Sequence, residues 1–269
     1  MMKKSPLVGA ISAALLSGLP VFVPAALAQE EDDAVFTANI GVTSNYVWRG
    51  ATQTNNGPAV QGGVDAGLPL GFYVGLWMSN VNFGATEVAD VLDQNGNPTG
   101  DTVEYSVDAP EYELDGYVGW GMDLTDNVGV DLGYVYYHYG QNESGIDFGE
   151  IYGSVSFWWF EVGVNYTANS QIDDDTSAYV VGDVAYYGAF KLDIAESWSV
   201  GLTLGQYAFD NDSSDNELSF TWGQIDLTKS AGRYGDFTLS VSQAGEEANG
   251  GNDNPRVFIT WTKGWNSRA

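Results

Sequence analysis

Six acidic residues lie within segments of the chain in which apolar residues recur at every second position. Side chains at alternate positions of a β-strand face opposite sides, so the apolar residues share one face and the acids share the other. A row of carboxylates along a narrow passage with low-dielectric walls concentrates cations and excludes anions. The alternative is that some of them are hydrogen-bonded within a closed interior. If the apolar face contacts lipid, the residues predicted to line the passage are Asp65, Glu113, Asp115, Asp131, Glu161 and Asp183.

Two basic residues form a second candidate site. Arg49 ends the first predicted strand and Arg256 begins the last one, on the same side of the sheet. The first and last strands of a closed barrel are neighbours, so these guanidinium groups could form a constriction or a small anion-binding spot at the outer mouth. The alternative is that each arginine pairs with a nearby loop carboxylate, as arginines amid excess acid commonly do.

Hydrolytic chemistry is not favoured. His138 is the only histidine, and it continues the phase of Tyr134 and Tyr136, which places it on the lipid face near the outer rim. An outer-membrane lipid hydrolase would place its catalytic histidine there. A His-x-Ser arrangement, however, has Gly140 in the serine position, and the nearest serine, Ser144, has no evident orienting partner. We therefore predict no enzyme and assign His138 to an interfacial aromatic girdle.

One acidic loop resembles a calcium ligand set without completing it. Its oxygen-bearing residues follow an EF-hand-like spacing, but Pro98 stands where the loop needs glycine. We expect a solvated loop, with weak binding of divalent cations at the cell surface as the alternative. No metal site and no cofactor are predicted. The residues of the spacing are Asp93, Asn95, Asn97, Thr99, Asp101 and Glu104.

The elements that would position these residues are β-strands. Alternation is clearest where Val128, Val130 and Leu132 are separated by small or polar residues. Twelve such segments can be counted, and an even number suits an antiparallel barrel with both ends on one side. The sequence therefore predicts an all-β fold, a closed antiparallel up-and-down transmembrane β-barrel of about 12 strands. The predicted strands are residues 35–48, 58–68, 71–83, 110–122, 128–140, 147–157, 160–168, 178–190, 198–209, 217–228, 236–243 and 255–265.

Composition and the first residues narrow the classes of protein. The 269 residues include 36 acids and only 9 Lys and Arg, so phosphates would be repelled and a nucleic-acid partner is excluded. Lys3 and Lys4 precede an apolar run that closes on Ala26-Leu27-Ala28, which predicts a signal peptide over residues 1–28 and a barrel domain over residues 29–269. A single membrane-spanning helix is the alternative for the first segment. The chain has no cysteine, so no disulfide supports the fold.

Alternation alone does not distinguish a membrane barrel from a soluble one. The signal peptide, the glycine-rich polar faces and the aromatics at strand ends favour the membrane barrel, because aromatic rings concentrate where lipid meets water. We therefore expect the protein in the cell outer membrane. The predicted girdle residues are Tyr46, Trp48, Phe83, Trp120, Tyr139, Phe157, Trp198, Phe209, Trp261 and Trp265.

Connections between the predicted strands alternate between long and short. The long ones hold 16 acids and one base, whereas the short ones hold 4 acids and 3 bases. Outer-membrane barrels have short periplasmic turns and long extracellular loops. We therefore expect both chain ends in the periplasm and an acidic outer surface.

Several stretches resemble a known family. The sequence Ser-Asn-Tyr-Val-Trp-Arg-Gly-Ala-Thr-Gln-Thr at residues 44–54 is similar to the N-terminal signature of the TorF-type porin family of proteobacterial outer membranes. The resemblance implies an outer-membrane pore protein and names no solute. This chain departs from the pattern in a long acidic insert at residues 84–109 and in four residues after Trp265. The other similar stretches are residues 58–63, 72–83, 113–119 and 137–139.

These observations lead to two functional hypotheses. A barrel of about eight strands has a filled interior and one of roughly 16 to 18 strands has an aqueous channel, so 12 strands predict a narrow conduit. The first hypothesis is a porin-like, cation-preferring channel for ions or small solutes. The second is a non-conducting surface barrel whose acidic loops serve adhesion or divalent-cation binding. Both imply outer-membrane lipids as partners, and a homo-oligomer is compatible with the apolar outer face.

Overall fold

The structure is a computed structural model that describes residues 35–84, 86–92, 98–106, 109–140, 145–249 and 251–267. The predicted signal peptide, the acidic-loop residues Asp93, Asn95 and Asn97, and Ser144 lie outside these ranges. Within them, helical structure consists of three short 3₁₀ turns. None of these short turns could span a bilayer as a helix, and the described residues contain no other helix.

Nearly all regular structure is β-strand. The strands are β1 (Val35–Thr43), β2 (Val47–Trp48), β3 (Ala51–Thr52), β4 (Ala59–Gly67), β5 (Phe72–Asn80), β6 (Thr86–Leu92), β7 (Pro98–Ser106), β8 (Tyr112–Thr125), β9 (Val128–Gly140), β10 (Phe148–Phe157), β11 (Phe160–Ser170), β12 (Val184–Ala195), β13 (Trp198–Ala208), β14 (Phe220–Ser230), β15 (Asp236–Ala244) and β16 (Arg256–Asn266).

Twelve of these strands close into one antiparallel barrel. Each barrel strand pairs with the next barrel strand along the chain, and β1 pairs with both β4 and β16 to close the ring. The remaining strands form two small hairpins, β2–β3 and β6–β7, within connections. The predicted closed up-and-down barrel and its strand count are confirmed.

The connections between barrel strands fall into two classes whose lengths do not overlap. Those at one end of the barrel have two to five residues, and those at the other end have 7 to 31 residues. The division is cleaner than the sequence predicts, because β8, β12 and β14 end two to five residues later than predicted and so shorten the connections that follow them. The β6–β7 hairpin lies inside the predicted acidic insert. We call the end with long connections the outer end and the other the inner end.

The first predicted strand ends too late, and the eighth is displaced towards the N-terminus. The prediction runs the first strand through residue 48, but β1 ends at Thr43, whose hydroxyl donates to the Asn45 carbonyl at 2.8 Å as the chain turns inward. The prediction starts another strand at residue 178, but β12 starts at Val184. Asp183 accepts the Val180 N–H at 2.9 Å and thereby holds the preceding residues in a turn.

The two faces of the wall differ as a membrane barrel requires. In β11, Val162 and Val164 are exposed on the outside, whereas Asn165 and Thr167 are buried inside. The same alternation runs around the ring, so apolar side chains turn outward and polar ones turn inward. The fold is therefore a transmembrane β-barrel. Other exposed apolar residues of the outer face include Val64, Leu76, Val118, Leu132, Leu204, Ile225, Leu239 and Ile259.

The predicted aromatic girdle is wrong for four residues, which are buried inside the barrel instead. Tyr46 and Trp48 belong to a segment that leaves the wall, so the alternation of β1 no longer sets their direction. Tyr139 shares the inward phase of Tyr137, and Phe209 follows the last residue of β13 and packs on Tyr207. Phe157, Trp198 and Trp265 are exposed on the outside, as predicted.

Candidate functional site

The segment after β1 crosses the interior of the barrel. Within residues 44–58, which we call the crossing segment, Trp48 packs edge-to-face on Tyr137 of β9 and on Tyr207 of β13, with ring centroids 5.8 and 6.0 Å away. Both of those strands are four places from β1 around the ring, in opposite directions. The crossing segment therefore spans the interior and packs against the far wall. A cluster of aromatic rings lies around Trp48 near the outer end, including the buried Phe148, Phe209 and Phe220 and the partly buried Tyr179.

Arg49, at the tip of the crossing segment, forms a buried two-point ion pair with Glu150 of β10. Its two terminal nitrogens donate to the two carboxylate oxygens, each at 2.7 Å. Glu150 also accepts hydrogen bonds from Tyr137 and Tyr207, and the guanidinium carbon lies 4.3 Å from the Trp48 ring centroid. Fork-to-fork geometry and full burial make this pair stronger than a surface ion pair, because water does not compete for either partner.

The backbone around Arg49 fits this position closely. Arg49 and Gly50 both have positive φ, 48° and 81°, which makes the tight turn of the β2–β3 hairpin. A Cβ at Gly50 would lie 2.8 Å from the Trp222 Cβ, so glycine permits both the conformation and the close approach.

Arg256 supports the same segment from the other side. Its Nε donates to the Asn56 side-chain oxygen at 3.2 Å, and a terminal nitrogen reaches the Asn254 carbonyl oxygen at 3.5 Å. The alternative that each arginine pairs with a loop carboxylate is wrong for Arg49, whose partner Glu150 lies on a barrel strand. Arg256 donates both of its hydrogen bonds named above to neutral oxygens. Both arginines instead hold the crossing segment.

Two of the predicted acids lie beside the crossing segment at the outer end of β8. Glu113 and Asp115 are 2% and 5% exposed, and their carboxyl groups lie within hydrogen-bonding reach of each other. Tyr46 of the crossing segment donates to Glu113 Oε1 at 3.2 Å. Glu113 Oε2 and Asp115 Oδ1 are buried without a hydrogen-bond partner.

Three further predicted acids lie towards the inner end, and each accepts a hydrogen bond from a tyrosine. Tyr117 donates to Asp65. Tyr73 donates to Asp131 at 2.8 Å and Tyr187 donates to Glu161 at 2.7 Å. All three acids share the inward phase of their strands, so the interior carries carboxylates along its length. Whether ions pass along them stays a prediction.

Glycines in the neighbouring strands let these tyrosines lie flat against the wall. Tyr117 of β8 is paired with Gly75 of β5, and Tyr73 of β5 is paired with Gly119 of β8. A Cβ at either glycine would overlap the ring opposite it. Glycine is therefore required at both positions for the tyrosine hydroxyls to reach the acids.

Asp183 does not lie in a barrel strand. Its carboxylate accepts backbone N–H groups from Val180 and from Asp210, the latter at 2.8 Å. It thereby joins two outer connections, residues 171–183 and 209–219. This position supports a role for Asp183 in anchoring the outer connections, in addition to the predicted role in lining the pore.

Sequence reasoning missed several inward-facing charges, among them Glu150, Asp226 and Lys191. Glu150 shares the phase of Ser154 in β10, but aromatic residues occur on both faces of this strand, so alternation alone does not show which face is inward. Asp226 of β14 accepts from Ser240 at 2.6 Å and lies opposite it in the register. Lys191 shares the phase of Tyr187, because β12 continues beyond the predicted end of the strand. The predicted lining contains only acids, and this is wrong for Lys191, which is an inward-facing base.

His138 lies on the outer face with an acidic partner that the sequence did not suggest. Its Nδ1 is 2.8 Å from Asp147 Oδ2, and its side chain is 45% exposed. The Tyr139 backbone N–H donates to the other Asp147 oxygen at 2.9 Å. Asp147 thus orients His138, while the neighbouring Ser144 lies outside the described residues.

A family model covers the half of the chain that contains the crossing segment and Glu150. Residues 28–170 match the family described as "Bacterial protein of unknown function (Gcw_chp)". The chain belongs to the Gcw_chp family. The match does not test the resemblance of this Gcw_chp protein to TorF-type porins, which stays a prediction. No curated protein matches the sequence.

Solved structures with a similar fold are porins and a channel by their descriptions. The NanC porin has a TM-score of 0.50 and 12% identity, covering 85% of the Gcw_chp chain and 97% of its own. The KdgM porin has a TM-score of 0.48 and 5% identity, covering 86% and 98%. A mutant of the TodX monoaromatic hydrocarbon channel has a TM-score of 0.45 and 11% identity, covering 82% and 77%. At these identities the likeness to NanC shows a porin-like barrel fold and nothing about solutes.

Proposed function

We propose that this Gcw_chp protein is an outer-membrane, porin-like channel that lets ions or small solutes diffuse with a preference for cations. The observation that carries the proposal is the row of inward carboxylates inside a closed barrel whose outer face is apolar. In this proposal residues 1–28 direct export, the mature chain belongs with the TorF-type porins, and its partners are outer-membrane lipids and small cations or solutes. A homo-oligomer would use part of the apolar outer face.

The charge balance of the interior supports cation preference. Glu150 is matched by Arg49, and Lys191 lies near Asp193 and Asp236 at the inner end. Asp65, Asp131, Glu161 and Asp226 have hydroxyl or amide partners, so their negative charge is not cancelled by a base. A narrow passage with such walls attracts cations and repels anions.

The crossing segment defines the proposed constriction. Arg49 and Arg256 hold it across the outer half of the interior, where buried aromatic rings fill much of the remaining space. Solutes would therefore pass beside this segment or only when it moves. A narrow path excludes large solutes, in agreement with a ring of 12 strands.

The same observation favours a second candidate function. If the crossing segment never moves, the barrel is a closed surface protein whose acidic outer connections bind cations or other cell-surface molecules. Replacing Arg49 by alanine separates the two cases. A channel gains conductance when the segment is loosened, whereas a barrel filled by its other side chains stays impermeable.

Solute uptake into liposomes tests the proposal. Small ammonium, neutral and carboxylate solutes of matched size should enter in that order of decreasing rate. The double variant Asp131→Asn/Glu161→Gln should reduce the preference, because two uncompensated carboxylates are removed. Its matched control is Asp173→Asn/Asp175→Asn, which neutralises two exposed acids of an outer connection. Equal rates for all three solutes, or no uptake by any variant, would contradict the proposal.

A further inference from the structure

Two carboxyl groups at the outer end of the interior have incomplete hydrogen bonding. Glu113 Oε2 and Asp115 Oδ1 have no hydrogen-bond partner, although both side chains are more than nine-tenths buried. Every other buried carboxylate oxygen among the described residues has a partner except Asp131 Oδ2. Buried oxygens of this kind are uncommon, because the loss of hydration is not repaid by another contact.

No basic side chain compensates this pair. The ion pairs found among the described residues are Arg49–Glu150 and His138–Asp147, and the nearby Arg49 has both terminal nitrogens engaged by Glu150. Two carboxylates in contact would repel each other in a site from which water is largely excluded. A positive charge between them would remove both the repulsion and the hydrogen-bond deficit.

The surroundings of the pair suit a small, hard cation. In the barrel register Glu113 lies opposite Tyr139 and Ser79, and Asp115 lies opposite Tyr137 and Trp77. The ligand atoms that the contacts place at the pair are oxygens, namely those of the two carboxyl groups and the Tyr46 hydroxyl, which donates to Glu113 at 3.2 Å. Hard divalent cations such as Ca²⁺ and Mg²⁺ prefer oxygen ligands, and a charge of two neutralises both acids.

We propose that Glu113 and Asp115 together bind one hard divalent cation inside the barrel. Two carboxylates supply only part of the coordination shell of such a cation, so water ligands would complete it. No group of three or more His, Cys, Asp or Glu side chains that could hold a metal ion is found among the described residues. Since Tyr46 donates to Glu113, the bound cation also fixes the crossing segment at this point. The inference rests on the proposed function, because the cation reaches the pair through the interior.

Terbium luminescence tests the site in the full-length mature protein in detergent. Tb³⁺ substitutes for Ca²⁺, and aromatic rings close to the metal sensitise its emission, which Tyr46, Trp77 and Tyr137 would do here. We expect sensitised emission that added Ca²⁺ suppresses. Glu113→Gln/Asp115→Asn should abolish it, and the single variant Asp115→Asn should weaken it while perturbing the fold less. The β-sheet circular dichroism of each variant establishes that the barrel has formed.

Two matched controls locate the signal. Asp131→Asn/Glu161→Gln removes two other inward acids, and Asp93→Asn/Asp101→Asn removes two acids of the EF-hand-like loop. Both variants should keep the emission.

Two results would overturn the inference. One is absence of emission from the wild-type protein, which would mean that the two carboxyl groups share a proton. The other is loss of emission in the loop variant alone. Emission from the pair without any conductance would instead sustain the site and refute the channel. Cation-selective conductance without emission would support the channel and refute the cation site.

Discussion

Arg49 and Glu150 lie 101 residues apart in the sequence and form an ion pair inside the barrel. Each terminal guanidinium nitrogen donates to one carboxylate oxygen, at 2.7 Å. One partner lies on the crossing segment and the other on the far wall. The pair therefore fixes the crossing segment across the interior, and its removal tests how firmly that segment is held.

Replacing Arg49 by alanine should reduce the free energy of unfolding by about 3–5 kcal/mol, because it leaves Glu150 buried without its countercharge. Arg256→Ala should cost only about 1 kcal/mol, since Arg256 donates to neutral oxygens. Urea unfolding from lipid vesicles measures both. In a double-mutant cycle with Glu150→Gln, strictly additive losses would show that the two side chains do not interact.

Replacing Gly75 by alanine should destabilise the barrel by roughly 1–3 kcal/mol, because the added methyl group displaces the Tyr117 ring from the wall. Gly188→Ala is the matched control, since a Cβ at this strand glycine meets nothing within 4 Å. Thermal unfolding in detergent compares the two. Equal stabilities would mean that the tyrosine does not lie over the glycine.

Replacing Leu204 by arginine tests the outer face. Leu204 lies in the middle of β13 and is 59% exposed, so in a bilayer the charge should cost about 2–4 kcal/mol. Ser213→Arg, on an exposed outer connection, should have almost no effect. Folding equilibria in vesicles provide the measurement, and an unchanged stability for Leu204→Arg would place this face in water.

Acidification should loosen the outer connections. The Thr176 hydroxyl and backbone N–H hold the pKa of Asp174 below its ordinary value, and the Ser219 and Leu218 backbone N–H groups do the same for the pKa of Asp212. Because these values are lowered in the folded state, the stabilisation is present above the ordinary pKa and is lost as the pH falls through the lowered one. Carbon-13 NMR titration of the two carboxyls, assigned with Asp174→Asn and Asp212→Asn, should give low midpoints. Midpoints at or above the ordinary value would refute these hydrogen bonds.

The sequence predicts the strands of the barrel wall well, because the alternation of residues in them has a single cause. In β9 and β11 every second side chain meets lipid, so apolar residues recur with period two and mark the strand. The same pattern misleads at Tyr46 and Trp48, which continue the alternation of β1 after the chain has turned inward at Thr43. Periodicity shows that two kinds of residue alternate, but it does not show whether the segment is still part of the barrel wall.

The interior is less predictable for a different reason. Phase alone indicates that Glu113, Asp131 and Glu161 face inward. Their partners come from other parts of the chain, and no local pattern connects Arg49 to Glu150 or Tyr73 to Asp131. The glycines opposite the tyrosines are visible in the sequence, but only the register shows which ring each one accommodates.

Single-channel recording in planar bilayers across a KCl gradient tests the central claim most directly. The account predicts discrete conductance steps with a reversal potential displaced towards the potassium equilibrium potential, and larger or more frequent steps for Arg49→Ala than for the wild type. A displacement towards the chloride equilibrium potential, or silence from both proteins at every salt concentration, would contradict it.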